Sequence, residues 1–225
     1  TCIGQGAGDE MTTGSSNTFI GVNCAGADTI TGNSNCAMGN SAGHNLTSGS
    51  NNLLLGNDAG RSGSPAGQIN SDNNQIVLGD ENIAGFHAQV SLTVASDQRD
   101  KTDFTALDIG LDFVNKLTPY TYKWDKRAKY GNKDSSDFDL DKLTPDGTHK
   151  EDWLDVGFKA QEVEALEKEA GYKIADKTNL TTTSTEDGKQ YGMRYEKFVP
   201  ILVKALQELS AKNDALEARI KTLEG

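Results

Sequence analysis

In the first sixty residues, short apolar stretches stand in a polar background, and each is closed by a glycine at a nearly constant interval. Ile3-Gly4, Ile20-Gly21, Met38-Gly39 and Leu55-Gly56 are separated by 17, 18 and 17 residues. Gly8, Gly26, Gly43 and Gly60 follow them, and Gly14, Gly32 and Gly49 mark a second turn. Each unit reads Asn, a short apolar strand, Gly, an Ala-Gly pair, then Thr/Ser-Gly-Ser-Asn, which predicts a strand-and-turn repeat. Glycine supplies backbone conformations that other residues resist, and Asn and Ser cap turns through their side chains.

A unit of this length buries almost nothing alone, so it needs stacked neighbours or other chains. Large apolar residues are scarce between 1 and 60, which favours three chains wrapped together over a single-chain solenoid. The alternative is a disordered low-complexity stretch, and the regular apolar positions argue against it. A weaker echo continues in Asn74-Gln75-Ile76-Val77-Leu78-Gly79, and Phe86 to Val94 alternates with the period of a strand.

The pattern then changes. Phe104, Leu107, Ile109, Leu111, Val114 and Leu117 predict an amphipathic helix over 103–116 that Pro119 ends. A strand through Tyr120, Tyr122 and Trp124 follows, its aromatic residues expected in the core. Residues 134–151 lack periodicity and read as a mobile loop. Val156, Phe158 and Val163 carry a strand into a helix through Leu166 that Gly171 stops.

The last segment keeps a heptad. Val199, Leu206, Asn213 and Ile220 hold one seam position and Leu202, Leu209, Leu216 and Leu223 the other, with spacings alternating three and four. A lone helix would leave this seam wet, so a coiled coil over 199–223 is expected. Pro200 fits a first helical turn, and Asn213 is a polar seam residue of the kind that fixes register. The competing reading is an amphipathic helix packed on its own domain.

Composition divides the chain near Ser96. Residues 1–95 hold 16 of the 24 glycines and carry seven acidic side chains against one basic, Arg61, while the remainder carries 26 against 21. The net charge is −11, with no Lys/Arg cluster, so nucleic acid and anionic membranes are not expected partners. No apolar run approaches a membrane span, and no signal peptide opens the chain. The start at Thr1 in mid-pattern is expected of a fragment of a longer polypeptide. Cys2, Cys24 and Cys36 lack metal spacing and read as small apolar fillers. No metal or cofactor is expected, and His44, His87 and His149 are assigned no chemistry.

At the boundary stands Ala95-Ser96-Asp97-Gln98-Arg99-Asp100-Lys101, a hydroxyl and an amine five residues apart that can form a nucleophile and its base. Downstream come Leu117-Thr118-Pro119-Tyr120-Thr121-Tyr122-Lys123-Trp124, Val156-Gly157-Phe158-Lys159-Ala160-Gln161-Glu162-Val163, Tyr195, and Pro200 to Leu209. In this order the segments resemble the C-terminal intramolecular chaperone of phage tailspikes and tail fibres, a self-cleaving serine peptidase module, from Ser96 to the end.

The resemblance implies a homotrimeric module that guides folding of the fibre segments ahead of it and then cuts itself off at Ala95–Ser96. Ser96 would be the nucleophile, Lys101 its base and Asp97 an orienting neighbour, with Glu162 an accessory. Where that family has an aliphatic residue after the arginine, this chain has Asp100, a departure that bears on the rate of cutting and not on the fold. The expected fold is mixed: an all-β trimeric repeat, a β-helix or prism-like shaft, over 1–95, then an α+β chaperone over 96–225 ending in the coiled coil. The implied location is the virion, with the chaperone module released in the host cytoplasm during assembly. The host receptor is not specified by the sequence.

In such a cut Ser96 Oγ attacks the Ala95 carbonyl, converts the amide to an ester, and water completes hydrolysis. A solvated lysine has a pKa of about 10.4, so the base must be desolvated to act at neutral pH. Closure of a trimer over the site is the expected source of that burial. Two other readings remain: a trimerisation module of the same fold that does not cut, and a trimeric adhesin fragment suggested by the repeats.

Overall fold

Stacking of the glycine-marked repeats sets the geometry of the first part of the chain. The computed structural model describes residues 1–225. Strands β1 (Cys2–Ile3), β2 (Thr18–Ile20), β3 (Cys36–Met38), β4 (Leu53–Leu55) and β5 (Ile76–Leu78) form one parallel sheet in sequence order. Ile3, Ile20, Met38, Leu55 and Leu78 lie in one register column, and Phe19, Ala37, Leu54 and Val77 in the next. Each coil thus returns the chain beside its predecessor.

The centre of each strand points inward. Phe19, Ala37 and Leu54 are fully buried, and Ala25, Ile30, Ala42, Leu46, Ala59 and Ile69 complete the core. Burial of each large side chain contributes about 1.5–3 kcal/mol. Composition suggested three interwound chains for this purpose; the coils bury the core within one chain, because the small Ala and Gly positions let neighbouring turns approach closely. Gly21, at φ +140°, shows how close: a Cβ there would sit 2.2 Å from the Gly39 carbonyl oxygen.

A buried asparagine column knits the coils. Asn17 Nδ2 donates to Gly32 O at 2.9 Å, and Asn35 Nδ2 donates to Gly49 O at 2.8 Å. Asn17 Oδ1 accepts from the Asn35 amide, Asn35 Oδ1 from the Asn52 amide, and Asn52 Oδ1 from the Gln75 amide. Each side chain thereby satisfies backbone groups that the turns would otherwise leave unpaired in the interior.

The remaining elements are α1 (Leu111–Lys116), β6 (Tyr120–Tyr122), β7 (Asp155–Gly157), α2 (Ala160–Glu169), β8 (Thr182–Ser184), β9 (Tyr191–Met193) and α3 (Phe198–Glu224). β6 pairs with β7 and β8 with β9. No helix is long and apolar enough to cross a membrane. Packing divides the chain differently from composition. One unit comprises 1–86, 122–155 and 184–192; the other comprises 87–121, 156–183 and 193–225. The reason is that residues 122–155, expected as a strand end and a mobile loop, are fixed by ion pairs to the last coils and carry a buried Leu140 in a short 3-10 turn.

In the second unit, Ile109, Phe113, Val163, Phe198 and Ile201 form the core. Glu167, fully buried on α2, accepts from the Thr181 amide and from the Thr181 and Thr182 hydroxyls, each at 2.6 Å. Gly171 ends α2 as expected, at φ +93°, with the Tyr172 amide donating to Glu167 O.

Three expectations change. The helix over 103–116 is confined to 111–116, because Asp103 is left-handed at φ +54° and the helix begins where Glu208 Oε2 accepts from the Leu111 amide at 2.8 Å. Residues 86–94 are not a strand: Phe86 and Leu92 are 77% and 88% exposed, since the alternating segment meets no sheet edge to pair with. Tyr120 and Tyr122 are half-buried and Trp124 is exposed rather than in the core, because their polar ends reach carboxylates, as in the Trp124 Nε1 bond to Asp155 Oδ2 at 3.0 Å.

Candidate functional site

The residues that precede α1 form a short polar turn. Asp97 opens a 3-10 turn over Gln98–Asp100, where its carboxylate accepts from the Arg99 amide at 2.9 Å. The Lys101 amide closes the turn on Gln98 O at 3.2 Å. This brings the Lys101 side chain back along the turn, and its Nζ donates to Ser96 Oγ at 2.6 Å. The pair has the separation a nucleophile and its base need.

Both members are exposed, as are Ala95, Asp97, Arg99 and Asp100. The chain therefore supplies the contact but not the desolvation.

Asp97 does not orient this pair. Its carboxylate is engaged by the Arg99 guanidinium, with Nη2 at 2.7 Å and Nε at 3.1 Å, and that pairing holds the carboxyl below its usual range. Glu162, in the first turn of α2, is also engaged elsewhere. It accepts from Lys159 Nζ at 2.9 Å and from the Tyr120 hydroxyl at 3.0 Å, and Lys159 Nζ lies 4.3 Å from the Tyr120 ring centre. Lys159, with Tyr120 adding to it, holds the Glu162 carboxyl below the usual range, which makes it a weak proton acceptor near neutrality. The cleft beside it, lined by Lys116, Phe158 and Glu162, encloses about 20 Å³, space for a single water.

The seam residues of α3 lie in the open. Val199, Leu202, Leu206, Leu209, Leu216, Ile220 and Leu223 are 49–78% exposed, and Asn213 Nδ2 donates along the helix to Glu217. A different face, Phe198, Ile201 and Ala205, is buried in the second unit. The helix therefore has an apolar stripe packed on its own unit for two turns and a second, unpartnered stripe along about 40 Å of length.

Sequence reasoning missed Lys159 and Tyr120 as the partners of Glu162, although the i,i+3 spacing of Lys159 and Glu162 was visible. It also missed the role of Arg61, whose isolation as the only basic residue among the first 95 was the available signal.

Residues 96–172 match the model of a peptidase family described as the chaperone of endosialidase. No curated protein and no solved structure matches the chain. The matched segment begins at Ser96, the residue that Lys101 contacts, and runs through α1, β6, β7 and α2 to the glycine stop. Over residues 96–172 the chain is thus similar to the chaperone-of-endosialidase family, which supports an intramolecular chaperone domain of phage tail proteins there.

Proposed function

We propose that this chain is the C-terminal part of a phage tail fibre or tailspike whose chaperone domain drives trimerisation of the fibre and then severs itself at Ala95–Ser96. The observation that carries the reading is the 2.6 Å contact between Lys101 Nζ and Ser96 Oγ at the first residue of the family match. Ser96 Oγ attacks the Ala95 carbonyl carbon while Lys101 takes the hydroxyl proton. The Ala95–Ser96 C–N bond breaks as the ester forms, the freed α-amine of Ser96 takes a proton, and water hydrolyses the ester to a carboxylate and the restored hydroxyl.

Assembly supplies what the single chain lacks. The α3 seam, the alternating segment 86–94 and the outward residues Ile3, Met38, Ile76 and Leu78 of the parallel sheet are all apolar and exposed. Three separate apolar surfaces along one chain support assembly of copies, and closure there would desolvate Lys101. Cutting would then report finished assembly. The mature fibre belongs to the virion, and the chaperone domain acts during its assembly.

Exposure of the Ser96–Lys101 pair and the diversion of Asp97 to Arg99 favour a second reading, a trimerisation module that does not cut. Leu209→Asp, which places a charge in the seam, tests the first reading by sedimentation and gel analysis together. The wild type is expected as a cut trimer and the variant as an uncut monomer. A monomeric variant that cuts at the wild-type rate would overturn the coupling of cutting to assembly.

A further inference from the structure

Within the first unit, residues 122–155 lie against the last two coils through complementary charge. Arg61, in the turn after β4, is nearly buried; its Nη1 lies 3.2 Å from Asp58 Oδ1, and its Nη2 donates to Lys133 O at 3.0 Å and Asp134 Oδ1 at 2.6 Å. Lys133 Nζ, on a side chain 10% exposed, lies 2.5 Å from Glu81 Oε2 and 3.4 Å from Asp58 Oδ2. Lys126 Nζ donates to Glu81 O and to Glu151 Oε1, each at 2.9 Å. Ala128 fits over Gly63 so closely that a Cβ at Gly63 would lie 2.6 Å from its methyl.

Two features of this network matter together. Asp58 follows β4 and Glu81 follows β5, and these strands pair; Lys133 can bridge both carboxylates only when the last two coils are stacked. The contacts also join residues on opposite sides of Ala95–Ser96. The intervening residues 87–95 are exposed and in no strand, and residues 184–192 add a smaller contact, with Thr185 against Gly67.

We propose that residues 122–155 are a docking segment that binds the stacked final coils of residues 1–86 through the Arg61, Asp58, Glu81, Lys133 and Asp134 cluster. The two pieces therefore stay associated when the backbone between them is broken. Cutting alone does not release the chaperone; loosening this cluster does. The docking stands apart from the self-cleavage reading, which supplies only the natural position of the break.

The test uses the full chain carrying Ser96→Ala, with a recognition sequence for a site-specific protease placed in the exposed segment 87–94. The break is then supplied from outside, and a silent serine leaves the result unaffected. After digestion, gel filtration at about 0.1 M salt is expected to give co-elution of the two pieces. Combined Arg61→Met and Lys133→Met is expected to give separate elution, with the circular dichroism of the undigested variant unchanged. Should that variant fold poorly, the parent protein still decides the matter: raising salt from about 0.1 to 1 M is expected to weaken association about tenfold. Separate elution of the parent pieces at low salt, or association indifferent to both substitution and salt, overturns the proposal.

Discussion

Lys101 Nζ stands 2.6 Å from Ser96 Oγ while both side chains face solvent. Contact and activation are therefore separate in this molecule. The five-residue spacing and the 3-10 turn over Gln98–Asp100 create the contact locally, whereas removal of water must come from elsewhere. A lysine that depends on desolvation acts only where water is excluded, and under the proposed reading assembly would supply that exclusion.

Glu167 anchors the second unit through three accepted hydrogen bonds at 0% exposure. Glu167→Ala leaves the Thr181 amide and two hydroxyls without their acceptor in the interior, at about 1–3 kcal/mol for each group left unpaired. A loss of about 3 kcal/mol or more is expected in urea unfolding, with the midpoint lowered and the slope unchanged.

The coils depend on glycine where they touch. Gly21→Ala places a methyl 2.2 Å from the Gly39 carbonyl oxygen and is expected to abolish stacking, seen as loss of the parallel-sheet signal in infrared spectra. Gly147→Ala, also at positive φ but with nothing within 4 Å, is expected to cost only about 1–2 kcal/mol of local backbone strain. Equal effects would contradict close approach as the reason for the glycine spacing.

Cys24 is buried between coils, its Sγ donating to Ala37 O at 3.2 Å, and burial pushes its thiol up to about 11. The thiolate is the reactive form, so Cys24 is protected near pH 8 and gains reactivity only as pH approaches that value. Mass mapping after alkylation at pH 8 is expected to find Cys2, which is exposed, labelled and Cys24 unlabelled until denaturant is added.

Arg61 holds the Asp134 carboxyl below its usual range through their hydrogen bond. A depressed folded value means that the pairing stabilises fully above the unfolded carboxylate value, about 3.9, and loses that contribution as pH falls through the lower folded one. Asp134→Asn is therefore expected to flatten the acid limb of the stability profile below about pH 4, and an unchanged profile would contradict the pairing.

Much of this was legible because it was local. The glycine intervals of 17 and 18 residues gave the coil length, Gly171 gave the end of α2, and the heptad from Val199 to Leu223 gave a seam that the structure leaves exposed. Features set by distant partners were not legible. The start of α1 is fixed by Glu208, 97 residues away; the polar stretch 134–151 is held by Arg61, more than seventy residues earlier. Alternation at 86–94 was a sound strand signal, but a strand also needs a neighbour to accept its hydrogen bonds. The small spacing between Ser96 and Lys101 made the pair visible, and the same shortness hid that Asp97 would turn to Arg99.

Intact mass spectrometry of the freshly purified wild type beside Ser96→Ala and Lys101→Met tests the central claim most directly. The account predicts two wild-type fragments, one beginning at Ser96, and a single full-length species in both variants. Full-length wild-type chain alone, or fragments that persist in Ser96→Ala, would contradict it.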